Sequence, residues 1–352
     1  MFHDREWSGG LWPISFYGLP NGIGDMFGVQ EFPCVAEEDL RKSMAVLNRQ
    51  PSTVLAFHAE LDTPEDPLPD VSSHNRTHYS TFLTSRPQSL EVNAISLITR
   101  LQTESSPSLP CHIVHLSAAS ALPLIREAKA GGAKLTVETC FHYLCLSSDE
   151  IPDSRPEFKC CPPIRDTANR ESLWEALRDG TIDFVVSDHS PCVADLKKLD
   201  EGDIMSAWGG ISALGLGLSL LWTESQKTHP WVSLSHIIRW TSTATAKHAG
   251  LAETKGAIKV GADADIVFWD PQAEFQVRIS FNPSVSFLFF FALVYTEVQF
   301  KVTPESLHFK NKLSPYRGFT LKGQVQQVYL RGKLAYDKDT GFDEFRPLGK
   351  LL

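Results

Sequence analysis

Four short apolar segments, each delivering a histidine or a carboxylate at its C-terminal end, constrain this chain more than any other feature of its sequence. Thr53–Phe57 leads into His58, His112–Leu116 closes with His115, Lys134–Glu138 ends on Glu138, and Ile182–Val186 leads into Asp188. Helical patterns lie between them, at Ser89–Leu101, Ala118–Ala130 and Asn169–Arg178. Strand-length runs separated by helical segments predict right-handed strand–helix–strand units and a parallel sheet. Such a sheet gathers the C-terminal ends of its strands at one face, where barrel enzymes keep their chemistry. One histidine or acid at a strand end is ordinarily a packed histidine or a capping acid. Four on successive strands point to a site.

The flanking regions read differently. Residues 1–34 are rich in Gly, Pro and aromatics, show no sustained period and form a divergent N-terminal segment. A helix is predicted to open at Ala36–Leu40, where Glu37, Glu38 and Asp39 suit the positive end of the helix dipole. From residue 256 the character changes again. Gly256–Phe268 predicts a turn followed by a strand, and Val325–Leu330 and Lys333–Tyr336, joined by Arg331-Gly332, predict a hairpin. The expected organisation is a segment 1–34, an α/β body 35–255 and a small β domain 256–352.

Composition narrows the function classes. A net charge of -9 argues against a surface for nucleic acid or anionic membrane. Seven cysteines, an odd number without CxxC spacing, do not read as a disulfide framework, so a reducing, cytoplasmic setting is expected. Residues 1–20 carry no apolar run of signal length. The most apolar stretch, Ser286–Tyr295, falls short of the roughly 18–20 residues that span a bilayer.

A hydrolytic metal centre needs histidine and carboxylate ligands, an open water position and a base near it. The local sequences are Phe57-His58-Ala59-Glu60, Val114-His115-Leu116-Ser117, Glu138-Thr139-Cys140-Phe141-His142-Tyr143-Leu144 and Ser187-Asp188-His189-Ser190-Pro191. In this order they resemble the second half of the cyclic amidohydrolases, the group that holds hydantoinases, dihydropyrimidinases, dihydroorotases and allantoinases. Phe158–Arg165, with Cys160-Cys161-Pro162-Pro163, and Ala207-Trp208-Gly209-Gly210-Ile211 make the chain most similar to the allantoinases. The likeness covers roughly residues 28–276 and 302–352.

The resemblance implies an α/β fold, an incomplete (β/α)8 TIM-type barrel of metal-dependent hydrolases holding about strands 5–8, with a small C-terminal β domain. It implies metal-assisted hydrolysis of the cyclic amide of allantoin to allantoate, in purine catabolism. It makes His58, His115 and Asp188 metal ligands and Asp188 also the general base. Glu138, Cys140, His142, Pro162, Pro163 and His189 are implied to shape the substrate pocket. Read alone, His142 and His189 are packing histidines. His112 is expected off the site, because an odd number of strand steps from His115 sends the two side chains to opposite faces. His74, His78, His229, His236 and His248 carry no motif and are expected at the surface or in structural roles, and Lys197-Lys198 is expected to be a solvated pair. The implied partners are a small-molecule substrate and, by family habit, three further copies in a homotetramer, with no nucleic acid and no membrane.

The pattern also departs from the family. The family holds two zinc ions with an HxH pair on its first strand and a bridging carboxylated lysine on its fourth. This chain has no HxH, and its first lysine is Lys42. One zinc at most is therefore expected. Barrel strands 1–3 have no counterpart, so a half-barrel with exposed parallel edges and a mis-assigned or alternative start at Met1 are expected. Val277–Lys301 has no family partner and reads as an insertion, for which a retained intron translated in frame is the expectation; its apolar, aromatic centre is an aggregation hazard. A fully spliced transcript still encoding Phe287–Tyr295 would remove the intron reading. Two alternatives stand beside allantoinase: a dihydropyrimidinase or hydantoinase, and a non-catalytic truncated isoform or gene-model fragment.

Overall fold

The computed structural model describes residues 11–18, 35–49, 53–273, 300–301, 307–342 and 349. Five strands form a parallel sheet in simple sequence order: β1 (Leu11–Gly18), β2 (Val54–Leu61), β3 (Cys111–Ile113), β4 (Leu135–Cys140) and β5 (Phe184–Val186). The four predicted strands are present. β2 is the longest of them and is buried from Leu55 to Glu60, as expected of a strand covered on both faces. It runs on through His58, which therefore lies within the strand. β3 is short and stops before His115.

β1 is a strand that the sequence reading did not expect. It pairs with β2 from Leu11↔Val54 to Gly18↔Leu61 and lies at the end of the sheet order. Pro13 within it demotes the segment as a strand, yet a strand at a sheet edge has one row of backbone groups without a ladder partner and tolerates proline.

Helices connect and cover the strands: α1 (Glu37–Leu47), α2 (Tyr79–Ser85), α3 (Ser89–Ser105), α4 (Leu122–Ala130), α5 (Phe141–Cys145), α6 (Thr167–Asp179), α7 (Ala194–Lys197), α8 (Gly217–Thr228), α9 (Leu234–Ile238) and α10 (Ala244–His248). α6 has clear local causes for both ends. Asp166 accepts a hydrogen bond from Asn169 N at 2.8 Å, and Gly180 ends the helix at φ 80°. The predicted helix from Ala118 begins as α4 only at Leu122, after a single tighter turn at Ala119–Ala121, with Pro123 in its first turn. Phe57, Ile95, Ile98, Ile125, Trp174 and Trp240 belong to one continuous core between sheet and helices. Among the described residues no helix is long and apolar enough to cross a membrane.

A second, antiparallel sheet runs β11-β10-β9-β6, with β6 (Ile266–Asp270), β9 (Gln324–Leu330), β10 (Lys333–Asp337) and β11 (Gly341–Phe342). The predicted hairpin is β9–β10. Its turn residues Arg331 and Gly332 sit at φ 49° and 74°, and positive φ at both positions is what a tight two-residue hairpin requires. A short pair, β7 (Phe300–Lys301) and β8 (Thr320–Leu321), stands apart. α8 ties this region to the body: Ser219 Oγ donates to Gly323 O at 2.5 Å, and Trp222 Nε1 donates to Pro271 O at 3.0 Å. Of the insertion expected at Val277–Lys301, all but Phe300 and Lys301 lies outside the described residues.

Candidate active site

The register of the parallel sheet builds the site. Ala56, His112 and Thr136 are aligned across β2, β3 and β4, so they share one face. Two-residue alternation adds His58 and Glu60 on β2 and Glu138 and Cys140 on β4 to that face. Phe184 joins them opposite Glu138.

His58 and His115 meet edge to face, with ring centroids 4.6 Å apart. His58 Nε2 lies 2.7 Å from Glu60 Oε2, and Arg86 holds the same carboxylate at two points. Burial would raise the Glu60 carboxyl, but Arg86 and His58 together outweigh it and hold it well below the usual carboxylate range. His115 is buried and its Nδ1 has no hydrogen-bond partner. Burial and the neighbouring His58 lower its pKa, while Asp188 and Glu138 pull the other way. Asp188 is half-buried, two residues beyond the end of β5. Both His115 and Asp188 adopt φ 40°, in the left-handed region.

The expected geometry of His112 and His115 is overturned here. Alternation applies only along a strand, and β3 ends at Ile113. The left-handed backbone at His115 then turns its ring onto His58, so both histidines serve the same face. His112 also acts on a site residue: its Nε2 is 3.2 Å from Glu138 Oε2 and its Nδ1 is 2.9 Å from Thr136 Oγ1. His248, from α10, packs against His112 with centroids 4.2 Å apart.

Cys140 closes β4, and His142 lies two residues further on, inside α5. Register places Cys140 beside Val186, two residues before Asp188. One ligating atom from each of Cys140, His142 and Asp188 falls within 4.8 Å of the other two. His142 is 0% exposed, and neither ring nitrogen has a partner. Burial lowers its pKa to about 4.

The remaining pocket candidates are held by backbone contacts. His189 Nδ1 accepts from Ala213 N and Leu214 N, both at 3.1 Å, which fixes its ring beside Phe309. Tyr143 OH donates to Pro162 O at 2.7 Å and Ser117 Oγ to Pro163 O at 2.6 Å, pinning the buried proline loop. Lys197 is a further correction. It is 4% exposed, and its Nζ donates to the carbonyls of Lys159, Trp208 and Gly210, so only Lys198 of the pair faces solvent. The sequence reading also missed Glu60 and Arg86 as site partners. The spacing His58-x-Glu60 on a strand was the available signal, since it puts both side chains on one face.

His58, His115 and Asp188 supply two imidazoles and a carboxylate, donor types that a divalent cation takes, but among the described residues it is Cys140, His142 and Asp188 whose ligating atoms come within 4.8 Å of one another. His115 has a buried ring nitrogen without a partner and packs against the His58 ring, and three protein ligands plus water make an ordinary catalytic set.

Residues 22–335 match the family model described as the Amidohydrolase family. A curated allantoinase of Saccharomyces cerevisiae is 42% identical over 327 residues, covering 92% of this chain and 64% of that protein. A mitochondrial allantoinase of Aquarana catesbeiana is 50% identical over 232 residues, covering 66% of this chain and 46% of that one. Among solved structures, the L-hydantoinase (dihydropyrimidinase) from Arthrobacter aurescens superposes with a TM-score of 0.75 at 22% identity, over 93% of this chain and 64% of its own. The chain thus spans about two thirds or less of the length of these proteins.

Proposed function

The chain belongs to the amidohydrolase family, whose members are metal-dependent hydrolases, and on that premise we propose that it opens the ring amide of allantoin to give allantoate, a step of purine catabolism. The observation that carries this reading is a difference in likeness. Identity reaches 42% and 50% with allantoinases, against 22% with the hydantoinase of the same fold. We read the parallel sheet as part of a (β/α)8 barrel, with its site at the C-terminal ends of the strands.

In this reading His58, His115 and Asp188 hold one divalent cation of the zinc class. When bound, the cation supplies positive charge that polarises water and the ring carbonyl. The chain's own residues do the rest. Asp188, at the mouth of the sheet, accepts the proton of the attacking water and returns it to the ring nitrogen as the C–N bond breaks. Glu60, fixed by Arg86, keeps the His58 ring in one orientation. Cys140, His142, His189 and the Pro162-Pro163 loop wall the pocket and limit water. Buried free thiols suit a reducing compartment such as the cytosol, and assembly into a homotetramer with other copies is part of the proposal.

The test is turnover of allantoin, hydantoin and dihydrouracil by the 352-residue chain loaded with zinc, beside Asp188→Asn. Preference for allantoin, with kcat falling about 10²–10⁴-fold in the variant, is expected. Preference for dihydrouracil would make the chain a dihydropyrimidinase. Bound metal without turnover of any of them would leave a non-catalytic member of the family.

A further inference from the structure

We propose that Cys140, His142 and Asp188 form a second cation site, which takes one thiophilic divalent ion of the zinc class through a thiolate, an imidazole and a carboxylate. The three donors come from the ends of two adjacent strands. Cys140 is the last residue of β4, His142 follows in α5, and Asp188 follows β5, with Cys140 and Val186 in direct register. Their ligating atoms lie within 4.8 Å of one another. Zinc bonds of about 2.3 Å to sulfur and about 2.0–2.2 Å to nitrogen and oxygen would close that spread with side-chain movement of about 1 Å.

A second observation points to a ligand. His142 is completely buried, yet both of its ring nitrogens lack a hydrogen-bond partner. Buried imidazoles are normally satisfied, and an orphan of this kind needs an explanation such as an ion. One of these ring nitrogens lies within 4.8 Å of an Asp188 carboxylate oxygen, so an ion held by the carboxylate is within its reach. The donor set also selects the ion. Thiolate sulfur favours zinc, cadmium or cobalt over magnesium or calcium. Binding releases the Cys140 proton to solvent, leaving two negative ligands to balance the dication.

The site stands on its own donors and does not depend on the allantoin reading. One consequence does. Asp188 belongs to this set and to the His58–His115 set, so an ion held by Cys140 takes the carboxylate assigned as base. Excess zinc should then inhibit turnover.

The binding test uses the 352-residue chain with cobalt(II), read by the sulfur-to-cobalt charge-transfer band, and with zinc, read by X-ray absorption. One sulfur at about 2.3 Å from zinc is expected in the wild type and in His58→Ala, and it should vanish in Cys140→Ser. A wild type with no sulfur neighbour would overturn the proposal, as would a sulfur signal that survives Cys140→Ser. If circular dichroism shows that Cys140→Ser has not folded, His142→Gln decides. A loss of zinc affinity of at least about tenfold supports the site, and unchanged affinity rejects it. Failure here would leave allantoin turnover untouched, and failure of turnover would leave the sulfur signal untouched.

Discussion

Arg86 grips Glu60 through Nη2–Oε2 at 2.5 Å and Nε–Oε1 at 3.1 Å, while the same Oε2 lies 2.7 Å from Nε2 of His58. All three side chains are buried. An ionised carboxylate only accepts, so His58 donates from Nε2, and in the neutral ring the lone pair is then on Nδ1. Glu60, itself held by Arg86 from 26 residues further along the chain, therefore sets both the orientation and the tautomer of a proposed ligand.

Removing half of this pair strands a buried charge. Arg86→Ala should destabilise the chain by about 3–5 kcal/mol. Arg86→Lys should recover only part of that, because an ammonium cannot reproduce the two-point grip. Urea unfolding at neutral pH measures both. A cost under about 1 kcal/mol for Arg86→Ala would mean that water reaches Glu60.

Acid should act through His142. Burial lowers its pKa from 6.5 to about 4, so between those values the unfolded chain binds more protons than the folded one. Its contribution is complete above pH 6.5 and is lost as the pH falls through about 4. The shift corresponds to something on the order of 3 kcal/mol. Unfolding free energies at pH 7, 5.5 and 4.5 should fall less steeply in His142→Gln than in the wild type. A residual slope remains, because burial also lowers His248 to about 4. Identical slopes would contradict the assignment.

Two adjacent lysines should respond in opposite ways. Lys197→Met keeps the aliphatic stem but orphans the carbonyls of Lys159, Trp208 and Gly210, at a cost of at least about 2 kcal/mol. Lys198→Met changes a half-buried side chain whose Nζ makes only a surface ion pair with Glu201, and should cost no more than about 1 kcal/mol. Thermal melts of the two variants make the comparison directly.

The hairpin of the antiparallel sheet offers a backbone test. At Gly332, φ is 74° and the nearest atom to an added Cβ is Ala264 Cβ at 3.9 Å, an ordinary contact. Gly332→Ala should therefore cost about 1 kcal/mol, from conformation alone. Gly323→Ala should cost more, since its Cβ would come within 2.5 Å of the Trp269 ring as well as being strained at φ 82°. Equal melting points for the two variants would argue against this packing.

The parallel strands β2 to β5 were legible because apolar runs of strand length alternate with amphipathic helices, and that periodicity follows directly from burial. β1 was not legible. Pro13, Gly18 and the surrounding aromatics carry no period, and only pairing with β2 makes the segment a strand. His58, His115 and Asp188 could be picked out by type and place in the sequence. The face of His115 could not, since β3 stops at Ile113 and the chain then turns through a positive φ. Burial of Lys197 was equally hidden, because its carbonyl partners lie as far away as residue 159, 38 positions back. Cys140, His142 and Asp188 were each visible as candidates. Their proximity depends on strand register, which a single sequence states only loosely.

His115 and Asp188 both hold a backbone conformation that a side chain disfavours. Glycine would sit there with less strain, so selection for robustness alone would erode these two positions early. Their persistence in a lineage would thus record continuing use of the pocket, and their replacement by glycine would mark the copies that have gone silent.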